Sequence, residues 1–165
     1  MAAISPYSRV AAIDERVVFR DERFLEALRA LALNILPLVR QHGAHLLINA
    51  DIELAHEIGA DGIQLTGAQL KELLQRPAVD WCAASCHNAE ELCRAEELGC
   101  DFALLSPVLP TRSHPGAQHL GWKNFSSIAA NSSIPVYALG GLGHDDMRAA
   151  WQHGAHGIAL LRQAW

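Results

Sequence analysis

Residues 58–65 read Ile-Gly-Ala-Asp-Gly-Ile-Gln-Leu, and the same pattern occurs at three other places in the chain. Each copy has a glycine, a small residue and Asp or His, followed by a short apolar run. Glycine ends a helix in the left-handed conformation without a Cβ penalty. An apolar run without polar alternation is typical of a strand buried on both faces of a parallel sheet. The other copies are 42–48, 98–105 and 153–160.

Helical patterns lie between these strands. The segment 22–41 is rich in Leu and Ala at helical spacing, and Pro37 suggests a break or kink near its end. Two further helices are predicted over 89–98, with Asn88 as N-cap, and over 147–153. Strands that alternate with helices of this length predict βαβ units and a parallel sheet.

The number of strands decides the type of α/β fold. Three further candidates, at 17–19, 79–84 and 134–139, bring the predicted strands to seven. Repetition of one unit favours a closed (β/α)8 TIM barrel over an open doubly wound sheet, and closure normally takes eight strands. We therefore predict a TIM-barrel type of fold that lacks its first strand–helix unit. Because such a barrel leaves two unpaired edges, we expect the N-terminal segment or a second chain to cover them.

Length and charge bound the class of protein. The chain has 165 residues, half of them hydrophobic, which favours one domain; we divide it into an N-terminal segment, 1–15, and a barrel domain, 16–165. Its formal charge of -5 argues against a nucleic-acid or anionic-membrane partner. No apolar run approaches the roughly 20 residues of a membrane span. Residues 1–16 lack the features of a signal peptide, so a cytoplasmic location is predicted.

The four cysteines all lie between residues 82 and 100. In a reducing cytosol we expect free, mostly buried thiols. A zinc site that uses Cys82, Cys86 and His87 is the alternative. Its spacing is not that of a Cys-x-x-Cys knuckle, and no second ligand pair follows, so we predict no metal site.

The residues that follow the strands are the candidates for a functional site, because working groups sit there in barrels of this type. Gly140 and Gly141 follow one predicted strand, and their backbone N–H groups could cradle a phosphate, aided by the next helix dipole. Alternatively, these glycines only permit a tight turn. Arg162, just past the last strand, would add a bidentate contact or remain a solvated terminal side chain.

Two other segments carry polar side chains after strands. The long loop 107–116 contains Arg112, His114 and hydroxyl groups that could bind anions; the alternative is a solvated loop stiffened by three prolines. Ser85 and His87 are two residues apart and face the same way at a strand end, but no orienting acid accompanies them. Hydrolase chemistry is therefore not predicted.

From Val17 to the C-terminus, an ordered set of motifs resembles the thiamine phosphate synthase/TenI family of (β/α)8 barrels. The resemblance is closest to the barrel domain that follows a MutT-type Nudix hydrolase domain in some bacterial fusions, because of residues 113–116, 120–122 and 158–165. The matching motifs are Arg20, 47–49, 59–65, 85–91, 106–111, 134–142 and 154–159.

The resemblance implies an enzyme that joins a pyrimidine diphosphate to a thiazole phosphate and expels pyrophosphate. The residues implied to face the diphosphate are Arg20, Asn49 and those of one loop, Thr111, Arg112, Ser113 and His114. Ser85 is implied to lie near the pyrimidine. The residues implied to hold the thiazole phosphate are Gly140, Gly141 and Arg162.

The chain departs from the family pattern where the family holds Mg²⁺. The expected carboxylates are replaced by Ala50 and Gln69, although Asp51 is one place further on, and the expected lysines are replaced by Glu22 and His114. Charge stabilisation of a departing pyrophosphate normally needs such groups.

The sequence therefore supports two hypotheses. The first is a protein of thiamine biosynthesis or salvage that binds phosphorylated pyrimidine and thiazole ligands. The second is a non-catalytic, phosphate-binding auxiliary barrel derived from a Nudix fusion. The implied partners are a small phosphorylated ligand and either a second copy of the chain or a lost Nudix domain.

Overall fold

The computed structural model describes residues 10–13, 22–111 and 118–160. Within these residues parallel strands alternate with α-helices along the whole chain. The strands are β1 (Val10–Ile13), β2 (His45–Asn49), β3 (Gly62–Leu65), β4 (Trp81–Cys86), β5 (Phe102–Leu105), β6 (Val136–Leu139) and β7 (Gly157–Ala159). The helices are α1 (Glu22–Gln41), α2 (Ile52–Glu57), α3 (Gly67–Glu72), α4 (Ala89–Glu97), α5 (Gly121–Ala129) and α6 (Met147–Gln152), with a 3₁₀ turn at His144–Asp146.

The predicted α/β fold of TIM-barrel type is confirmed, with seven strands among the described residues instead of eight. The strand expected at 17–19 lies outside the described residues, and the first described strand comes seven residues earlier, at β1. It pairs in parallel with β2, so the N-terminal segment supplies a strand at that edge. Pro37 does not break α1, which continues to Gln41.

The described chain divides into two compact units. The first comprises the described residues up to 65 together with 77–82, and the second comprises 66–76 and the described residues from 83 onward. In the first unit, β1, β2 and β3 pair in parallel and in sequence order. Leu46, Leu47 and Ile48 of β2 are fully buried there, as is Ile63 of β3. This run of buried apolar side chains is what a strand covered on both faces requires.

The second unit contains the rest of β4 and the strands β5, β6 and β7, again parallel and in sequence order. Strands β4, β5 and β6 are mostly buried, with Ala83, Ala84, Ala103 and Ala138 fully inaccessible, whereas β7 is only partly buried. Small side chains in the strands leave room for large ones on the helices, such as the fully buried Phe125 of α5.

The repeated Gly-Ala-Asp/His pattern forms the turns that lead into the strands, which we call upstream turns. In the first unit, the Asp61 carboxylate accepts the Leu46 N–H at 2.8 Å and the Arg40 guanidinium at 2.9 Å. In the second unit, the Asp101 carboxylate accepts the Arg76 guanidinium at 2.7 Å. These acidic groups fix the strands to the preceding helices and loops, which is a structural role.

Candidate functional site

The glycine turn, Gly140 and Gly141, directly follows β6 in the second unit. Both residues have positive φ, 99° and 70°, a conformation that side chains disfavour. A Cβ on Gly140 would lie 2.7 Å from the Pro107 backbone, and one on Gly141 would lie 2.5 Å from the Pro110 carbonyl oxygen. Neither position therefore tolerates a side chain without a shift of the neighbouring backbone.

Two backbone donors of the glycine turn have no acceptor among the described residues. Neither the Gly140 N–H nor the Gly141 N–H donates a hydrogen bond there, whereas the Gly143 N–H donates to the Asp146 carboxylate at 2.8 Å. Successive unpaired N–H groups in such a turn form a concave anion-binding surface. The two unpaired donors lie at the position where the sequence predicts phosphate binding.

Residues 106–110, which we call the support segment, lie against the glycine turn. The Val108 N–H donates to the Leu139 carbonyl at 2.9 Å, and the Leu109 N–H donates to the Gly140 carbonyl at 3.0 Å. On its other side, the Gly121 N–H donates to the Val108 carbonyl at 2.8 Å. The position of the support segment thus determines the space available to the glycine turn.

His87 connects the end of β4 to the start of the support segment. Its ring Nδ1 lies 2.8 Å from the carbonyl oxygen of the buried Ser106, and its backbone N–H donates to the Glu91 carboxylate at 2.7 Å. The ring nitrogen Nδ1 of His87 thus contacts a backbone carbonyl of the neighbouring strand end. The Asn88 side chain caps α4 by accepting the Glu91 N–H, as predicted.

The residues suggested for zinc do not offer a suitable donor set. Burial, and then the charges of Glu91 and Glu96, raise the pKa of the Cys86 thiol to about 12. Cys82 is also fully buried. Cys82, Cys86 and His87 do not form a cluster able to hold a metal ion in the described part of the chain.

In the first unit, Asn49 ends β2, and the chain turns tightly at Ala50. The Asp51 N–H donates to the Asn49 carbonyl at 2.8 Å across this turn, and Ala50 has a φ of +65°. Positive φ is uncommon for alanine and more favourable for Gly, Asn or Asp. The Asp51 carboxylate accepts the Leu54 N–H at 2.9 Å and serves as the N-cap of α2.

In the second unit, Gln69 is part of a capping box at the start of α3. Its side-chain oxygen accepts the Thr66 N–H at 3.1 Å, while the Thr66 hydroxyl accepts the Gln69 N–H at 3.3 Å. The reciprocal pair satisfies two backbone donors of the first helical turn. This role was not predicted from the sequence, although the Thr-x-x-Gln spacing is its signature.

These residues do not fit the Mg²⁺ site that the family resemblance implies. Mg²⁺ is held by carboxylates, and the two family positions carry a methyl group and a neutral amide. Asp51 lies one place further on, and one of its carboxylate oxygens accepts the Leu54 N–H as the N-cap of α2. No cluster of three or more His, Cys, Asp or Glu side chains able to hold a metal occurs among the described residues.

A cleft of about 500 Å³ lies away from the glycine turn, beside α3 and α4. Its lining carries three carboxylates and two cationic side chains, so no excess of positive charge favours a phosphate there. The lining residues are Leu70, Lys71, Glu90, Glu91, Cys93, Arg94 and Glu97.

Only some of the predicted site residues belong to the part of the chain that the structure describes. Gly140 and Gly141 form the glycine turn, Thr111 follows the support segment, and Ser85 is a half-buried residue of β4. Arg20, Ser113, His114 and Arg162 lie outside the described residues. The sequence did not predict that Ser106 and Glu91 contact His87 and hold it in place.

The alternating parallel strands and helices define a protein of TIM-barrel type, with a glycine turn directly after β6. The family model of thiamine monophosphate synthase matches residues 12–164. The chain belongs to the thiamine monophosphate synthase/TenI family.

Individual relatives agree with this assignment. A protein of Aquifex aeolicus (strain VF5), whose name also places it with the thiamine-phosphate synthases, is 35% identical over 131 residues, covering 78% of this chain and 70% of that protein. The thiamine-phosphate synthase of Geobacillus thermodenitrificans (strain NG80-2) is 30% identical over 140 residues, covering 82% and 63%. The chain thus spans less than two thirds of the Geobacillus protein.

Solved structures show the same fold. Thiamine phosphate pyrophosphorylase from Pyrococcus furiosus superposes with a TM-score of 0.70 at 26% identity, covering 90% of this chain and 71% of that one. The corresponding protein from Bacteroides thetaiotaomicron gives 0.60 at 17% identity, covering 97% and 73%, which supports the fold alone. No helix among the described residues is long and apolar enough to cross a membrane.

Proposed function

We propose that this chain binds a phosphorylated intermediate or product of thiamine biosynthesis at the glycine turn and has little or no synthase activity. The observation that carries the binding proposal is the pair of Gly140 and Gly141 N–H groups without an acceptor among the described residues. A phosphate oxygen is a strong acceptor and would satisfy both donors. Family membership supplies the ligand class, which is a thiazole phosphate or thiamine phosphate.

Weak catalysis follows from the missing charge. Expulsion of pyrophosphate develops negative charge that a synthase must stabilise with metal ions and cationic side chains. Here the two positions expected to bind the metal are Ala50 and Gln69, and the two expected lysines are Glu22 and His114. The only lysines in the chain are Lys71 on α3 and Lys123 on α5. Arg20, Ser113, His114 and Arg162 remain predicted ligand contacts.

Binding is tested by calorimetry and by thermal unfolding. Thiazole phosphate, thiamine phosphate and pyrophosphate are compared with the unphosphorylated thiazole alcohol. A ligand at 100 times its Kd should stabilise the protein by about 2.7 kcal/mol. Stabilisation by a phosphorylated compound but not by the alcohol is expected. Absence of binding by all three phosphorylated compounds would contradict the proposal.

The same titration with Mg²⁺ and with EDTA tests the argument about the metal positions. Because the side chains at 50 and 69 are not carboxylates, the Kd should be the same under both conditions within about twofold. A tenfold loss of affinity in EDTA would show that Mg²⁺ takes part in binding after all.

The alternative is a competent synthase, and its test is direct. Purified protein is incubated with the pyrimidine diphosphate, the thiazole phosphate and Mg²⁺, with the Geobacillus relative as positive control. Thiamine phosphate at a rate comparable to that of the control would establish this alternative.

The auxiliary-barrel origin is a separate part of the proposal. It rests on residues 113–116, which lie outside the described residues, and on 120–122. A Nudix box encoded in frame upstream of this chain would support it. A cytoplasmic location likewise remains a prediction, to be checked by cell fractionation.

A further inference from the structure

His87 makes two contacts that a solvent-exposed loop residue does not need. Its side chain is exposed, yet its ring Nδ1 lies 2.8 Å from the Ser106 carbonyl oxygen. A carbonyl oxygen only accepts hydrogen bonds, so Nδ1 carries the hydrogen in this contact. The neutral ring is therefore held in the Nδ1–H form, which leaves Nε2 as an acceptor.

The backbone of His87 is fixed from the other side. Its N–H donates to a carboxylate oxygen of Glu91 at 2.7 Å, and Glu91 is only 8% exposed. Glu91 is in turn anchored by the Asn88 cap of α4. The ring of His87 therefore extends from a rigid helix start, which is what a group that positions another segment requires.

Ser106 transmits this position to the glycine turn. Ser106 is 9% exposed, and its carbonyl accepts the hydrogen bond from the Nδ1–H of His87. This carbonyl belongs to the first peptide unit of the support segment. Three residues further on, Leu109 donates to the Gly140 carbonyl, and the Leu109 carbonyl oxygen would lie 2.8 Å from a Cβ on Gly141. A displacement of the support segment would therefore change the shape of the glycine turn.

We propose that His87 is a positioning residue for phosphate binding: its ring N–H holds the Ser106 carbonyl and thereby fixes the support segment against which Gly140 and Gly141 are packed. This inference rests on the proposed function, because it assigns the glycine turn as the ligand site. His87 itself need not touch the ligand.

The first test uses three variants at this position. Asn places an amide N–H where the ring Nδ1–H is, whereas Gln places its amide further out and Ala has none. His87→Ala and His87→Gln should weaken the affinity for thiazole phosphate about tenfold, the equivalent of one lost hydrogen bond. His87→Asn should remain within about threefold of the unaltered protein. Equal losses in all three variants, or no loss in His87→Ala, would overturn the proposal.

A matched control comes from His42 at the end of α1. Its Nδ1 also contacts a backbone carbonyl, that of Leu38, at 2.8 Å, but it belongs to the first unit. His42→Ala removes the same kind of contact and should leave the affinity unchanged. A tenfold loss in this variant would show that ring-to-carbonyl contacts act only through general stability, which contradicts a specific role for His87.

A second test does not depend on ligand binding. In ¹⁵N spectra of the unaltered protein at a pH where the ring is neutral, Nδ1 of His87 should be the protonated nitrogen. Amide resonances of Gly140 and Gly141 should shift in His87→Ala and not in His87→Asn. An Nε2–H ring, or unshifted glycine amides in His87→Ala, would refute the positioning role. Failure of every phosphorylated ligand to bind, with these spectra as expected, would instead refute only the proposed function.

Discussion

The turns that precede the strands and the turn that follows β6 both contain glycine, but they differ in whether their polar groups are hydrogen-bonded within the protein. In the upstream turns, Asp61 and Asp101 accept hydrogen bonds from arginines, so their polar groups are satisfied within the protein. In the glycine turn, the N–H groups of Gly140 and Gly141 find no acceptor among the described residues. Satisfied polar groups stabilise a fold, whereas unpaired donors are available to a ligand. The repeated motif thus marks stability, and the departure from it marks the candidate site.

The contrast is sharpest between Gly141 and Gly99. Both have positive φ, but a Cβ on Gly141 would lie 2.5 Å from the Pro110 carbonyl oxygen, whereas nothing lies within 4 Å of one on Gly99. Gly141→Ala should therefore reduce phosphate-ligand affinity more than tenfold and cost about 1–3 kcal/mol of stability. Gly99→Ala should cost about 1 kcal/mol through backbone strain alone and leave affinity unchanged. Calorimetry and urea unfolding measure both quantities. Equal effects on affinity would abolish the distinction between the two kinds of turn.

An upstream turn should show the reverse pattern, with loss of stability and unchanged binding. Asp61→Ala removes a carboxylate that is 15% exposed in its side chain and accepts both the Leu46 N–H and the Arg40 guanidinium. Its loss should cost about 2 kcal/mol, since hydrogen bonds to a charged group are worth more than neutral ones. Urea unfolding measures the change. The exposed pair of Arg29 and Glu57 provides the control, because Arg29→Ala should cost less than about 1 kcal/mol. A change in ligand affinity for Asp61→Ala would assign it a functional role.

The smallest predicted effect on stability at neutral pH is that of the ionisation of the Cys86 thiol, and this effect grows in alkaline solution. Burial raises the pKa of its thiol to about 12 in the folded state. The unfolded thiol loses its proton near pH 8.5, so above that pH the folded state binds more protons than the unfolded state. Stability should fall by up to about 1.4 kcal/mol per pH unit between about pH 9 and 12. Urea unfolding at pH 7 and pH 10 should show a smaller pH dependence for Cys86→Ala than for the unaltered chain. An identical dependence would contradict a protonated thiol at this position.

Helices and strands could be predicted from the sequence where their bounds depend on neighbouring residues, such as helix caps and apolar runs. The α1 helix was predicted with its observed bounds, and α4 begins at its predicted Asn88 cap. The strand expected over 79–84 instead runs from Trp81 to Cys86, because an apolar run alone does not set where strand pairing begins.

The candidate site was only partly predictable. The glycine turn followed from composition and from its position after a strand. The contact of His87 with Ser106 joins residues 19 positions apart, so no local pattern reveals it. Asp51 lies beside the expected metal position, and only the structure shows that one of its carboxylate oxygens caps α2.

The central claim is that the two donors of the glycine turn receive a phosphate group. Two-dimensional ¹H–¹⁵N spectra, recorded while thiazole phosphate is added, test it at the atoms concerned. The amide resonances of Gly140 and Gly141 should move progressively and saturate at the Kd measured by calorimetry, while those of Gly59 and Gly99 in the upstream turns stay in place. Saturable binding that leaves the Gly140 and Gly141 resonances unmoved would contradict the claim.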